Sequence, residues 1–422
     1  MRSIVSSKLS PHLVQSVFLR ITFAVLSLAL TTFLARELDK TDFGLYTFYI
    51  SIYAIVLLPF TTGFARYNVR FIASLDLRFR LANATKLIQH QSRHLLFATA
   101  LILVLLAVVL SSEIANFPLP LAIIIASLPF VVQTNLLSSA FRGLGNIFTG
   151  NSEGLLVKPL LMLIGVFCVS RFTDPKLSLL GVTVVFFVTS LVTFLIYYSI
   201  RPKAAEPSTP NENLKPYGTP VFLFTLIGSI EVMNANLDTL LLGVFSIPEQ
   251  VAAYKLAISL RSVALLPTQA FLLFIPFLFA SVFSQGEILK LQKSVKMIAR
   301  LNFLAVIIIC GAFYGFGTEI IDLLFGPTYN NVAELAFILL FGIVTSSLFG
   351  QGMEILIAAG EEKWVFASAS VLIVATIALN SIFIPTYGAV ATAWIYFAAA
   401  IIYSSFNAFC AKELVGINPT IF

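Results

Sequence analysis

Five ionisable residues stand inside apolar runs long enough to cross a bilayer: Arg20, Glu231, Asp238, Lys255 and Arg261. A charge at the centre of a hydrocarbon core costs about 3 kcal/mol on insertion scales, so each needs a partner, a cavity or a function. Four of the five share one hairpin, whose turn centres near Ser246 and Ile247. Counted from that turn, Asp238 and Lys255 are level. Glu231 and Arg261 are level too, deeper by about 10 Å at a helical rise of about 1.5 Å per residue. Glu231, Asn234 and Asp238 fall at i, i+3 and i+7, on one helix face. Two chemistries fit them. Either they form a polar stripe that binds a proton or Na⁺ in a water-filled cavity, or the hairpin holds two structural ion pairs that only neutralise one another. Arg20 has no acid in its own run. With Arg261 it makes a clamp for a phosphorylated ligand, because each guanidinium pairs phosphate oxygens two at a time; otherwise it snorkels to the nearer membrane face. Arg66 and Arg70, at i, i+4 by the mouth of the second span, either capture that ligand first or serve as interfacial anchors.

The elements that position these groups are membrane helices. The 422 residues are 59% hydrophobic and only 11% charged, against about 25% charged in soluble domains. Mean hydropathy is +0.96. A span needs about 20 apolar residues. Twelve runs qualify: 13–35, 43–64, 95–112, 117–139, 156–171, 177–199, 218–243, 250–280, 298–317, 333–357, 364–384 and 388–410. The fold class is therefore all-α integral membrane. The first run has helix length and no small-residue cleavage site, so it reads as a retained helix rather than a signal peptide. With both termini in the cytoplasm, 19 of the 26 Lys and Arg fall in cytoplasmic segments and four outside (Arg36, Lys40, Arg171 and Lys176). That asymmetry fits the positive-inside rule and supports the count, since one missed helix would invert the later loops.

The chain divides at its midpoint. Residues 201–217 (RPKAAEPSTPNENLKPY) hold four prolines and read as an extended cytoplasmic linker. Residues 1–200 form one lobe of six spans and 218–422 the other. A shift of 208 residues places Tyr46 on Tyr254, Ser51 on Ser259, Leu57 on Leu265, Pro59 on Pro267 and Phe71 on Phe279 without a gap. Six spans per half with both starts on one side make parallel repeats, an arrangement of transporters.

Several features read more plainly. Arg66 to His94 alternates basic and apolar residues, which suits an amphipathic helix on anionic headgroups. His90 and His94 are spaced as half a metal site, but with no third ligand near they read as a solvated face. Cys168, Cys310 and Cys410 are far apart and form no framework. Glu354 and Lys158 read as snorkelling near span ends, and Pro267 and Pro276 as breaks in span eight. No basic patch with interleaved aromatics suggests nucleic acid.

The stretch FLARELDKTDFGLYTFYISIY (33–53), followed by Gly63 and RFIAS, resembles the N-terminal signature of Wzx-type oligosaccharide flippases. So do LDTLLLGVFSIPEQVAAYKLA (237–257), the P-F-L at Pro276, EIIDLLFGPTYNNVAELAFILLFG (319–342) and NSIFIPTYGAVATAW (380–394). The likeness runs in order along nearly the whole chain. That family is grouped with lipid II flippases and multidrug and toxin extrusion (MATE) antiporters in the MOP superfamily. The resemblance implies a MATE/MOP-like fold of two six-helix lobes in the bacterial plasma (inner) membrane. It implies alternating-access movement of an undecaprenyl-diphosphate-linked repeat unit for O-antigen or exopolysaccharide assembly. H⁺ or Na⁺ coupling and no other cofactor are expected, with membrane lipids, glycosyltransferases and a polysaccharide polymerase as partners. Arg20 and Arg261 match, by helix, cavity arginines of the lipid II flippases, and Asp238 matches a frequent family Asp. Three positions depart from the pattern: Ala252 and Ala391 replace Gly, and Lys255 replaces a small residue. Lys255 then either contacts the substrate or partners Asp238.

The nearest rival is a MATE-type multidrug antiporter, which needs acidic pockets for cations. Three embedded basic residues against two acidic ones tilt toward an anion. A membrane polymerase or ligase carries its chemistry on a large outer loop. Here the longest such loop, 318–332, has Glu319 and Asp322 but no His, so no enzyme is expected.

Overall fold

The computed structural model describes residues 11–77, 79–111, 118–172, 177–202, 217–272, 288–329 and 331–422. Among these there is no strand. The helices are α1 (Pro11–Glu37), α2 (Lys40–Ser74), α3 (Arg80–Ser111), α4 (Leu119–Ala126), α5 (Leu128–Gly143), α6 (Ile147–Ser152), α7 (Lys158–Phe172), α8 (Leu179–Ser199), α9 (Gly218–Phe245), α10 (Pro248–Ala264), α11 (Leu266–Leu272), α12 (Ile288–Phe325), α13 (Val332–Ser347), α14 (Gly352–Ala358) and α15 (Glu362–Cys410). A π-helical turn, Glu153–Val157, joins α6 to α7.

Nine of these helical stretches are long and apolar enough to cross a membrane, and the bent pair α13–α14, broken by 51°, makes a tenth. Two physical details bring the spans to the expected twelve. Continuous through 49 residues by hydrogen bonding, α15 has Gly388 at φ 57°, ψ −137°, so it comprises two helices meeting at a glycine. The remaining span, α10–α11, is interrupted: α10 has 17 residues and carries Glu249, Lys255 and Arg261. It breaks at Leu265, and Pro267 follows inside the next turn. Pro276 and most of the proline-rich linker lie outside the described residues.

Compactness groups the described residues into two units. The first holds residues up to Leu30 with Tyr49–Asn236, and the second holds Thr31–Phe48 with Leu237–Phe422. In the first, α4 and α5 form the centre, with Ile124, Leu128 and Val132 fully buried against α8. Interhelical hydrogen bonds stitch it: Ser127 to the Tyr53 hydroxyl at 3.0 Å, and Asn68 Nδ2 to Ser139 Oγ at 3.0 Å. Gly63 lets α2 approach the Val221–Thr225 turn of α9, where any Cβ would overlap. Small residues and polar cross-links are the usual means of packing helices in lipid, where apolar burial gives little drive.

Arg66 to His94 is not a helix lying flat. It ends α2 and, after a turn, begins α3. Arg80 fixes the corner, donating from Nη2 to the carbonyls of Ala73 (2.9 Å) and Leu75 (3.0 Å). It thereby satisfies helix-end acceptors that have no partner of their own.

In the second unit α10 is central, with Val251, Ala252, Tyr254, Leu256 and Ala257 all fully buried. The α1–α2 turn packs on the α9–α10 turn. Gly44 lies against the Pro248 carbonyl and Gly243 against the Phe48 ring, so neither site has room for a Cβ. Thr41 donates to Glu249, and the two residues are 208 positions apart, the same shift that aligns the halves. Arg36 Nε caps the end of α12 through the Leu324 carbonyl at 2.8 Å. The Tyr329 hydroxyl donates to the Ala35 carbonyl at 3.2 Å. Burial pushes that phenol up to about 12, so it keeps its proton at working pH.

Gly388 meets Gln250, whose Oε1 accepts from the Ala389 N–H at 2.7 Å. A side chain at Gly388 would enter Gln250 and adopt a left-handed backbone. We therefore expect Gly388→Ala to cost about 1–3 kcal/mol, read as a lower thermal midpoint in detergent. An unchanged midpoint would mean that the turn yields freely.

Candidate functional site

A polar site lies within the second unit, around Asp238 of α9. The Tyr254 hydroxyl of α10 donates to Asp238 Oδ2 at 3.1 Å. Asn380 Nδ2 of α15 reaches Oδ1 at 3.5 Å. Arg261, two turns beyond Tyr254 on α10, is within electrostatic range of both Asp238 and Tyr254. Its guanidinium lies over the Tyr396 ring, 4.5 Å from the centroid. Three atoms here are buried without a hydrogen-bond partner: Arg261 Nε, Asn380 Oδ1 and Thr392 Oγ1. Thr392 lies one turn from Tyr396, on the same helix face. A buried unpaired acceptor costs about 1–3 kcal/mol, and the Asn380 amide oxygen, beside the Asp238 carboxylate, is with it the kind of oxygen donor that suits a hard cation. Sequence reasoning missed Asn380, Thr392, Tyr254 and Tyr396. Their signal was a polar residue inside each of three further spans, though none was charged.

Lys255 is also in this region, with Arg261 as a like charge within range. No acid bonds its ammonium among the described residues. Of the two alternatives, the level ion pairs, Asp238 with Lys255 and Glu231 with Arg261, are not seen among the described residues. Equal depth is not equal azimuth. Adjacent helical residues differ by about 100°, and it is Tyr254, one position before Lys255, that faces Asp238. With Glu231 on Arg66 and Glu249 on Thr41, the region around Asp238 holds two cations of the hairpin and one carboxylate.

Glu231 belongs to the first unit and pairs with Arg66 at 2.8 Å, the two side chains 73% and 37% exposed. An exposed pair contributes about 0–1 kcal/mol. We expect Arg66→Gln or Glu231→Gln to move the thermal midpoint by no more than a degree or two; a large drop would make this pair a structural strut. Asn234 is exposed on the same face of α9, and Asn236 turns back to its own helix at the Val232 carbonyl. Arg20, in the first unit, is part-buried and bonds to no acid among the described residues; Arg70 is exposed. The structure therefore brings Asp238, Arg261 and Lys255 into one region and Glu231 onto Arg66.

Lys158 sits over the Phe186 ring at 4.6 Å, near Glu153 of the π turn. Glu354 lines a chamber of about 160 Å³ with Asn302, Gln351 and Asn407, beside the α13–α14 break. His90 and His94 touch each other, ring centroids 4.6 Å apart, and His90 also meets Tyr217 at 5.9 Å. Among the described residues no group of three or more His, Cys, Asp or Glu is placed to hold a metal ion.

The family model described as polysaccharide biosynthesis protein matches residues 14–279. No curated protein sequence matches significantly. Solved structures do. The lipid II flippase MurJ, in an inward closed conformation, is 14% identical with TM-score 0.70, over 95% of this chain and 87% of that one. An inward-facing multidrug resistance MATE family transporter of the MOP superfamily is 11% identical with TM-score 0.72, over 95% and 98%. A MOP superfamily transporter from Pyrococcus furiosus is 12% identical with TM-score 0.57, over 96% and 95%. At such identities the likeness shows the fold: an all-α, multi-pass membrane protein of MATE/MurJ-like architecture.

Proposed function

The chain belongs to the polysaccharide biosynthesis protein family, and from that premise we propose that it is a flippase for an undecaprenyl-diphosphate-linked oligosaccharide repeat unit. It carries this lipid-linked unit across the bacterial plasma membrane by alternating access, with both its own termini cytoplasmic. Glycosyltransferases supply the substrate on the inner side, and a polymerase consumes it outside, toward O-antigen or exopolysaccharide. The observation that carries this reading is the charge of the α9–α10 hairpin. Around Asp238, Arg261 and Lys255 lie with that single carboxylate, while Glu231 pairs with Arg66 and Glu249 accepts from Thr41 at the turn, which leaves a local positive excess in a membrane segment that an anionic head group can neutralise. Arg261 and Lys255 bind the diphosphate-sugar head, Arg20 contributes a second guanidinium, and Arg66 and Arg70 meet the head group first.

Coupling is assigned to Asp238, with Asn380 and Thr392 supplying the further oxygens for Na⁺. Where the coupling ion is H⁺, Asp238 itself takes the proton. Either ion adds positive charge beside Asp238 and weakens its hold on Arg261, so ion binding and head-group binding share one carboxylate. Glu231 and Asn234, on the same face of α9, form the approach to it. Glu231→Gln is expected to weaken apparent ion affinity several-fold while coupling persists. Complete loss of coupling in Glu231→Gln would move the ion site to the Arg66 pair.

The test is reconstitution in liposomes with a lipid-linked oligosaccharide, its outward exposure read by an impermeant glycosidase under imposed Na⁺ or pH gradients. Gradient-driven exposure is expected. Efflux of a toxic cation with no sugar-lipid movement would instead identify a multidrug antiporter, and covalent change of the glycan would identify an enzyme.

A further inference from the structure

A crevice of about 910 Å³ opens in the first unit between α3, α5 and α8, and it shares no residue with the Asp238 site. Each helix gives it one stripe. Lys86, Arg93 and Leu96 come from α3, and Phe194, Tyr198 and Arg201 from the end of α8 and the residues just beyond it. Spacings of three, four and seven residues hold such sets on single faces. Leu137 of α5 and Leu144, just beyond its end, complete the wall. Three basic side chains line the crevice and no acid does. Among the described residues none of the three is paired with a carboxylate. Arg201 instead stacks on Tyr198, 3.6 Å from the ring centroid.

The charge is graded along the crevice. Lys86 follows the start of α3 at Arg80, and Arg201 follows the end of α8 at Ser199, both toward the basic, cytoplasmic side. Deeper, the wall turns apolar through Leu96, Leu137 and Phe194. There Gln133 and Ser92 satisfy each other, at 2.7 and 3.2 Å. Leu96 and Tyr198 remain 45% and 46% exposed, so the crevice is open along its length. A cationic mouth above an apolar wall, set between membrane helices, complements a phosphate at the interface with hydrocarbon chains running along the helices.

We propose that this crevice binds an anionic phospholipid, with Lys86, Arg93 and Arg201 on its phosphate and its acyl chains along Leu96, Leu137 and Phe194. The apolar wall favours a phospholipid over a free anion, which would make no use of it.

The test is native mass spectrometry of the full-length protein in detergent, with dioleoyl phosphatidylglycerol or dioleoyl phosphatidylcholine at equal concentration. Preferential retention of phosphatidylglycerol is expected. Combined Lys86→Gln, Arg93→Gln and Arg201→Gln should erode that preference by about fivefold per charge removed. Lys363→Gln, an exposed residue paired with Glu361, should leave it intact. Arg93 is exposed, so Arg93→Gln alone keeps the test usable if the triple variant does not fold. Equal retention of the two lipids by the wild type, or an unaltered preference in the variants, overturns the proposal. Displacement of phosphatidylglycerol by equimolar inorganic phosphate would make this a free-anion site. Displacement by substoichiometric undecaprenyl diphosphate would make it part of the carried lipid's path. Either result also overturns it.

Discussion

Arg261→Ala should reduce sugar-lipid translocation on the order of a hundredfold. A charge-assisted contact to an anionic head group contributes about 3 kcal/mol, and about 1.4 kcal/mol is a factor of ten. The substitution also leaves Asp238 and Tyr254 without their cation and Tyr396 without its stacking partner, so folding must be measured beside transport. Arg261→Lys separates the two effects. It keeps the charge that Asp238 faces but loses the planar fork and most of the stacking. Normal expression with transport between wild type and Arg261→Ala is expected of it. Arg20→Ala should fall in the same range, and the double variant no lower than background. Full activity in both single variants and in the double would remove the guanidinium contacts from the mechanism.

Asp238→Asn should abolish the response to an ion gradient. A tenfold gradient of a monovalent cation supplies about 1.4 kcal/mol, so tight coupling moves the sugar-lipid distribution about tenfold. With Asn the site keeps its shape and its hydrogen bond from Tyr254 but loses its charge. Neither H⁺ nor Na⁺ is then taken up, and the distribution should be the same at every gradient. The carrier would still equilibrate its substrate, because Arg261 is freed rather than lost. A variant that retains the tenfold response would place the ion elsewhere, with Glu354 in its polar chamber as the first residue to test.

Much of this fold can be read from the sequence, because depth in a membrane is a one-dimensional property. Hydropathy and the sidedness of Lys and Arg give the twelve spans. The break before Pro267 and the turn at Gly388 follow from residues that cannot continue an ordinary helix. Azimuth is the property that resists such a reading. Level counting put Lys255 against Asp238, whereas the rotation of α10 presents Tyr254. Glu231 went to Arg66 because α2, remote in sequence, packs on that part of α9 through Gly63. Asn380 and Thr392 are uncharged and sit in ordinary apolar runs, so nothing in composition marks them; only their unpaired buried oxygens do. In the Arg66–His94 stretch a corner capped by Arg80 has the same periodicity as one continuous amphipathic helix, so sequence alone does not separate the two.

The hydrogen bond between Thr41 and Glu249 bears on ancestry. If the two halves descend from one gene, the ancestral chain bore a single residue at this position, and on a two-fold axis that residue met its own copy. Two glutamates there would repel, and two threonines would offer only a weak neutral contact. On that descent, fusion of the copies into one polypeptide removes the requirement for identity, and one side becomes a hydroxyl donor and the other a carboxylate acceptor. A homodimer has no means of encoding such a pair. The contact therefore dates to a time after duplication, and an engineered half-length chain carrying either residue alone should dimerise poorly through this turn.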